Sequence, residues 1–317
     1  GELDAAIDSY KQAIKIKPDY AEAYNNMGNV LKKKGELDAA IDSYKQAIKI
    51  KPNFAVCFIN YHSLLIQFSE ASLLNEELKL FKNYRLKELI DEEPMHLIFK
   101  SILNFLQNNI KASSTNLKNY RALVDAGKTK DFNEKDQAFG SAYARFIDQL
   151  IKKCSTPQPF NEDKIYHVGE SHCLSYAHHS FTIEQRTFHV TPRITFGAKA
   201  YHFSKPEESS FKSITRRNLD AIPDSSLVLI SIGEIDCRIN EGFILASQKT
   251  GTALSELVQK TVLGYVKWFL NANLIGRGPS PVVADISNPY LSIETITASV
   301  VSVALLIFWQ NRTIASL

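Results

Sequence analysis

The sequence is poor in cysteine, glycine and proline, with 4 Cys, 13 Gly and 11 Pro in 317 residues. The cysteines lie far apart and none forms a C-x-x-C pair. A dense disulfide framework of the secreted type is therefore excluded, and we expect reduced thiols. The low glycine and proline content excludes a collagen-like fibre and a low-complexity chain. Hydrophobic residues make up 44%, and at about 100–200 residues per domain the length predicts two folded domains.

The sequence also lacks a strong net charge, since 37 Lys and Arg oppose 34 Asp and Glu. Such a balanced chain has no electrostatic footprint for nucleic acid or an acidic membrane surface, and we predict neither as a partner. The uncharged run at residues 295–311 contains Thr, Ser, Gln and Asn. It is shorter than the roughly 18 apolar residues of a spanning helix, so we interpret it as a buried core segment. We expect a cytoplasmic protein without a membrane span.

An internal repeat begins the chain. Residues 1–18 and residues 35–52 both read GELDAAIDSYKQAIKIKP. Gly28 and Ala40 are small, which lets two antiparallel helices approach closely. In length and pattern this unit resembles the tetratricopeptide repeat, and the resemblance implies an α-solenoid of helix pairs over residues 1–72. The packing positions of that repeat are occupied by Tyr24, Met27, Gly28, Leu31, Ala40, Tyr44, Ala47 and Pro52.

The repeat pattern fades after about residue 68, and the position that matches Gly28 is His62. Residues 73–153 are rich in Leu, Phe, Lys and Glu with apolar spacings of three and four. They predict a degenerate helical region that completes or caps the solenoid. Because residue 1 falls inside a repeat, we expect the natural protein to extend further towards the N-terminus.

In repeats of this kind the first helices line a groove that holds an extended peptide. Asn25, Asn29 and Lys32 fall on one helix face at i, i+4 and i+7 spacing. This stripe predicts hydrogen bonds to a protein or peptide partner. The alternative is a solvated helix face, since the next repeat has Ile59 and Ser63 at the corresponding positions. A single polar rung indicates weak peptide binding.

The pattern changes after residues 154–163, whose two prolines and turn-forming residues predict a linker. Three short β-prone runs follow, at residues 164–169, 226–233 and 281–287. An amphipathic helix is predicted over residues 252–272, between the second and third runs. Strands alternating with helices imply a three-layer α/β domain with a parallel sheet over residues 164–317. Sites in such sheets form at the carboxyl ends of the strands.

Two of these strand ends carry polar blocks. The GESH sequence at residues 169–172 resembles the nucleophile block of the SGNH (GDSL-like) hydrolases, and residues 170–181 are compatible with a helix. The GEIDCR sequence at residues 233–238 resembles the third block of that family, and Gly197 resembles its oxyanion glycine. The resemblance implies a serine esterase. Ser171 would attack the acyl carbonyl, and its own backbone N–H and that of Gly197 would hold the oxyanion.

Two departures from the family pattern matter. The asparagine that donates to the oxyanion is Ile235 here, and one lost donor costs about 2.7–4 kcal/mol of transition-state stabilisation. Arg238 and Asn288 are candidate substitutes by their location. The D-x-x-H block of the general base is also missing, because no histidine follows His202. We favour truncation over loss of the base, so that a histidine outside this sequence would activate the serine.

Other interpretations stay open. Ser171 also fits a helix N-cap, and a substrate role and an ion-pair cluster are equally compatible with the third block. Its candidates are Gly233, Glu234, Asp236 and Arg238. We expect His172 to have a structural or substrate-contacting role, because adjacent helical residues do not face each other.

The histidines show no metal-site spacing, so we predict no metal and no cofactor. The preferred hypothesis is a repeat protein fused to an esterase that acts on an acylated carbohydrate or lipid. The alternative is a non-catalytic interaction scaffold with a degenerate α/β domain. A transferase that uses the same serine is not distinguished from a hydrolase by the sequence.

Overall fold

A computed structural model describes residues 1–68, 93–130, 132–153, 163–183, 185–224, 226–238, 240–271 and 305–308. The chain divides into two compact units, Gly1–Gln158 and Pro159–Leu317. Each unit has its own buried residues. Over these ranges, no helix is both long and apolar enough to cross a membrane.

The first unit is helical in its described part. Its α-helices are α1 (Glu2–Ile16), α2 (Ala21–Lys34), α3 (Leu37–Ile50), α4 (Ala55–Leu65), α5 (Pro94–Leu106), α6 (Ile110–Asp125) and α7 (Glu134–Lys153). Helix α2 ends where Gly35 takes a left-handed φ of 93°. The N–H of Glu36 then donates to the Leu31 carbonyl at 2.9 Å, which closes the last turn. The helices predicted over residues 73–153 are confirmed wherever the structure describes them.

A close contact between Gly28 and Tyr44 joins α2 to α3. A Cβ added at Gly28 would lie 2.7 Å from the Tyr44 ring, and Tyr44 is fully buried. The next aromatic layer is Tyr61 on α4, which is also fully buried, with its ring centroid 6.4 Å from that of Tyr44. The small residue predicted at position 28 is therefore required by the packing.

At the contact between α4 and α5, a histidine lies at the repeat position that glycine occupies on α2. His62 occupies the position that matches Gly28, and its Nδ1 lies 3.0 Å from the Nδ1 of His96 on α5. Both rings are buried. Burial lowers the pKa of His62 to about 4 and also lowers that of His96. One neutral ring therefore donates its Nδ1–H to the other.

The second unit combines a sheet with helices. Its elements are β1 (Asp163–Gly169), β2 (Ser180–Ile183), β3 (Arg186–Ile194), α8 (Ala200–Ser204), α9 (Ser210–Asp220), β4 (Leu227–Ser231), α10 (Phe243–Thr250), α11 (Leu254–Asn271) and β5 (Leu305–Phe308). The strand order is β2-β3-β1-β4-β5. Strand β1 pairs in parallel with β3 and β4, whereas β2 and β5 pair antiparallel with β3 and β4.

The sheet is parallel in its three central strands, of which β1 and β4 were predicted, whereas both edge strands pair antiparallel. Only two residues separate β2 from β3, too few for the crossover that parallel strands need.

The prediction also missed β3. The expected helix over residues 170–181 is a 3₁₀-helix, Ser171–Tyr176, followed by β2. The predicted strand at 281–287 and most of the predicted linker lie outside the described residues.

One face of the sheet is covered by α8 and α11. Phe203, Tyr265 and Phe269 pack with Val168 and Ile230 of the central strands in one buried cluster. A Cβ added at position 264 would lie 2.7 Å from the Ser204 Cβ, so glycine allows α11 to approach α8. Because β1, β3 and β4 are parallel, the loops that follow them lie together at one edge of the sheet.

Candidate functional site

The carboxyl ends of the three parallel strands lie side by side. Gly169 pairs with Ile194 of β3 and with Ser231 of β4, and the Thr195 N–H donates to the Gly169 carbonyl at 2.8 Å. A Cβ added at Gly169 would lie 2.7 Å from the Ser231 backbone oxygen. Glycine at this position therefore brings together the loops that carry the predicted site residues.

Ser171 begins the 3₁₀-helix Ser171–Tyr176 directly after β1 and is half-buried. Its N–H lies in the first turn, where backbone donors have no acceptor within the helix. Gly197 has a left-handed φ of 67°, and a Cβ there would meet no atom within 4 Å. Ser171 and Gly197 thus lie in the loops that follow β1 and β3, and their role at the oxyanion stays a prediction.

Cys173 is not a candidate nucleophile, although it lies two residues from Ser171. Its side chain is fully buried, and burial raises the pKa of its thiol well above the ordinary value. A protonated, inaccessible thiol is inert. The same turn therefore offers one accessible hydroxyl and one buried thiol.

A group of three side chains lies beside Ser171. The His172 Nδ1 is 3.0 Å from the Glu170 Oε2 and 3.8 Å from the Glu234 Oε2. Glu170 is only 2% exposed, whereas the His172 side chain is 49% exposed. The hydrogen bond with Glu170 raises the pKa of His172. A buried carboxylate requires a hydrogen-bonding partner, and the imidazole supplies one.

This group was missed by the sequence prediction, which expected a structural or substrate-contacting role for His172 and no metal site. The partner of the imidazole is Glu170, two residues before it, and the turn is a 3₁₀-helix. A glutamate and a histidine at this spacing, directly after a predicted strand, were the available signal. Glu234 is brought in from the loop after β4, which no local pattern indicates.

Asp236 of the third block holds two loops together. Its carboxylate accepts the Ala200 N–H at 2.6 Å and the Tyr201 N–H at 3.2 Å, at the start of α8. The side chain is buried, and burial raises its pKa to about 6 despite those two bonds. Gly242 packs against the Asp236 carbonyl so closely that a Cβ would overlap it. Asp236 thereby joins the loop after β4 to the helix after β3.

Arg238 forms ion pairs at the rim of this loop. Its Nε and Nη2 donate to the Glu234 carboxylate at 2.9–3.1 Å, and its Nη1 donates to Glu241 at 3.1 Å. A role as an oxyanion donor would require these ion pairs to rearrange. Ile235 is buried and has no side-chain donor. Gly233 has a φ of 148° at the entry to the loop, and Asn288 lies outside the described residues.

A second serine at the same edge contacts a histidine. The Ser231 Oγ lies 2.6 Å from the His167 Nε2, although the two residues are 64 positions apart. His167 is buried, and burial lowers its pKa to about 4, so the ring is neutral at pH 7. Within the described ranges, its Nδ1 has no hydrogen-bond partner. Sequence reasoning missed this pair because only the register of β1 and β4 brings it together.

The predicted partner-binding residues lie on α2, and two of them contact α4. The Asn25 Oδ1 accepts from the Asn60 Nδ2 at 3.1 Å, and the Lys32 Nζ donates to the Ser63 Oγ at 3.4 Å. Asn25 is buried, and burial lowers the pKa of Lys32. The polar stripe thus continues onto α4 through Asn60 and Ser63.

Asn29 is the exposed member of the stripe. Its Oδ1 accepts a hydrogen bond from the Tyr44 hydroxyl at 2.8 Å. That bond fixes the amide, because its oxygen faces Tyr44 and its NH₂ group remains as a donor. The stripe therefore presents an oriented amide next to a partly buried ammonium.

Comparison with known families agrees with this architecture. Residues 1–35 match the family described as TPR repeat, and residues 21–54 match the tetratricopeptide repeat. The helix pairs and the contact between Gly28 and Tyr44 are those of a helical repeat array. The N-terminal region, residues 1–54, therefore carries tetratricopeptide repeats, as predicted. A search of curated proteins gives no match to the chain.

Proposed function

We propose that the protein joins a peptide-binding repeat region to an acyl ester hydrolase site in its second unit. Tetratricopeptide repeats imply a protein-interaction scaffold, and residues 1–54 carry them. The peptide would bind along the polar stripe of α2 and α4. The substrate class of the second unit is an acyl ester of a carbohydrate or lipid, as the resemblance of its strand-end blocks implies.

The peptide-binding proposal rests on Asn29 and Lys32. Asn29 offers an oriented amide, and Lys32 offers a cation held by Ser63. An extended backbone presents C=O acceptors to both. Because a hydrogen bond contributes about 0.5–1.5 kcal/mol, loss of both side chains should weaken binding about tenfold or more.

The test begins with selection of peptides from a display library on the full chain. The affinities of the selected peptides are then measured by fluorescence polarisation. The Asn29→Ala/Lys32→Ala variant should lose affinity. The matched control is Lys33→Ala, which removes an exposed lysine next to the stripe. Equal affinities for the wild-type protein and the double variant would refute the groove assignment.

The esterase proposal rests on one observation: Ser171 begins a helix at the carboxyl end of the central strand. The loop of Gly197 is tied to the same strand end through Thr195 and Gly169. In the proposed reaction, the Ser171 Oγ attacks the acyl carbonyl and passes its proton to a general base. The ester C–O bond then breaks, the alcohol leaves with that proton, and water hydrolyses the acyl-serine to release the acid. The backbone N–H groups of Ser171 and Gly197 donate to the oxyanion that develops.

A fluorophosphonate probe, applied to the full chain, tests the nucleophile. We expect labelling of the wild-type protein and of Ser175→Ala, a control on the same 3₁₀-helix. Ser171→Ala should abolish the labelling. If Ser231→Ala abolishes it instead, the nucleophile is the serine that contacts His167. Labelling that persists in Ser171→Ala would sink the assignment of Ser171.

A second candidate function is a non-catalytic scaffold, and specific observations favour it. Ile235 is buried where the family has its donor, Asp236 serves as a structural tie, and Arg238 is engaged by carboxylates. This candidate predicts a folded protein, verified by circular dichroism, that neither reacts with the probe nor hydrolyses p-nitrophenyl esters. A serine-dependent rate with any such ester would exclude it.

A further inference from the structure

We propose that Glu170, His172 and Glu234 form a binding site for one divalent transition-metal ion. One ligand atom from each residue, an imidazole nitrogen and two carboxylate oxygens, lies within 4.8 Å of the others. The group is positioned by the end of β1 and by the loop after β4. The inference concerns binding alone and depends on no step of the proposed hydrolysis.

The distances among the donor atoms suit a single ion. Bonds of about 2.0–2.2 Å to histidine nitrogen and carboxylate oxygen place two ligand atoms about 3 Å apart when adjacent and about 4 Å apart when opposite. The His172 Nδ1 lies 3.0 Å from the Glu170 Oε2 and 3.8 Å from the Glu234 Oε2. Both distances fall within this range. The third distance, between the two carboxylate oxygens, is below 4.8 Å, so the partly exposed Glu234 side chain would have to rotate towards Glu170 to complete the site.

Burial and charge support the same assignment. The Glu170 carboxylate is 2% exposed, so its position is fixed before an ion arrives. The side chains of His172 and Glu234 are 49% and 33% exposed, which leaves a route from solvent. Two carboxylates balance the charge of a divalent ion. The central imidazole distinguishes the group from an ordinary acidic patch, because its nitrogen is a ligand that transition metals prefer.

The donor set indicates which ions bind. Mg²⁺ and Ca²⁺ take oxygen ligands, whereas imidazole together with carboxylate suits ions such as Zn²⁺ and Mn²⁺. Arg238 competes with the ion, because its guanidinium pairs with Glu234 at 2.9 Å. Removal of this arginine should therefore increase the affinity.

Isothermal titration of the metal-free full chain, with its affinity tag removed, tests the proposal with ZnCl₂ and MnCl₂. We expect one site, with an affinity for either ion at least about tenfold above that for Mg²⁺ or Ca²⁺. His172→Ala and Glu234→Gln should each reduce the Zn²⁺ affinity about tenfold or more. Both side chains are partly exposed, so folding should survive, as circular dichroism would verify. Arg238→Gln should raise the affinity severalfold.

The matched controls are His179→Ala and Glu256→Gln, which alter another partly exposed histidine and an exposed glutamate of the same unit. Their affinities should equal that of the wild-type protein. The proposal is overturned by absence of binding, by unchanged binding in His172→Ala, or by equal losses in His172→Ala and His179→Ala. The readout is heat of binding, so its failure leaves the esterase proposal untouched.

Discussion

Gly28 shows how a single position is constrained by packing. Alanine normally stabilises a helix interior relative to glycine by about 1 kcal/mol. Here its Cβ would lie 2.7 Å from the fully buried Tyr44 ring, and overpacking costs about 1–3 kcal/mol. We therefore expect Gly28→Ala to lower the free energy of unfolding, as measured by urea denaturation. A gain of about 1 kcal/mol would instead mean that Tyr44 gives way.

Lys33→Ala is the control for that measurement. It changes an exposed residue of the same helix, and such surface changes are usually within about 0.5 kcal/mol of neutral. A similar loss of stability in both variants would point to a general sensitivity of α2 and not to the contact with Tyr44.

Individual residues also differ in whether the sequence could predict their roles. Gly28 and Tyr44 follow from repeat spacing, because they occupy packing positions of the tetratricopeptide repeat. Glu170 does not, because its role depends on an imidazole two residues later and on Glu234 from a distant loop. Local patterns identify residues that shape one element and miss those that several elements bring together.

At the scale of elements, the contact between α4 and α5 should respond to pH. Burial lowers the pKa of His62 from 6.5 to about 4, and that of His96 is lowered too. Lys100 of α5 adds to this effect, and Glu93 caps the same helix through the His96 N–H. Between pH 6.5 and 4 the unfolded chain binds more protons than the folded chain. Stability is therefore complete above about pH 6.5 and is lost as the pH falls towards 4.

Together, His62 and His96 should contribute at least about 1 kcal/mol to this loss, since one pKa unit corresponds to about 1.4 kcal/mol. The measurement compares urea unfolding at pH 7 and pH 4.5 for the wild-type protein and for His62→Leu/His96→Leu. The comparison needs variants because burial also lowers the pKa of His167 and His202. The double variant should lose less stability on acidification, whereas His179→Leu should behave like wild type. Identical pH slopes in all three proteins would contradict the prediction.

The strands differed in how well the sequence predicted them. The Gly-terminated runs at 164–169 and 226–233 appear as β1 and β4, because continuous apolar residues are typical of central parallel strands. Strand β3 was missed. It contains Pro192, which has no backbone N–H to donate and therefore argues against a central strand. The edge strands depend on a short hairpin and on distant pairing, and neither leaves a strong local pattern.

At the scale of the whole molecule, the two units differ in how much their sequences reveal. Residues 1–54 repeat a unit whose family is recognisable from spacing alone. The second unit has no repeat, and its site consists of loops brought together by strand register. The polar stripe proposed to bind a partner in the first unit could therefore be read from the sequence as a face of one helix. In the second unit only the strand ends were predictable, and the contacts between them were not.

The two units should also unfold as two cooperative bodies, because each has its own buried core. Gly28 and Gly264 provide a matched pair of probes, since each is a helical glycine whose Cβ would lie 2.7 Å from a neighbouring side chain. Differential scanning calorimetry of the full chain should resolve two transitions. Gly28→Ala should lower the midpoint of one, and Gly264→Ala that of the other.

The double variant Gly28→Ala/Gly264→Ala provides a further test of this prediction. If the cores are separate, each transition should shift by the amount seen in the corresponding single variant, because distant sites without shared partners are additive within about 0.5 kcal/mol. A change of about 1 kcal/mol should move a midpoint by roughly 2–4 °C in a unit of this size. A single transition, or a shift of both transitions in either single variant, would show that the two cores unfold together.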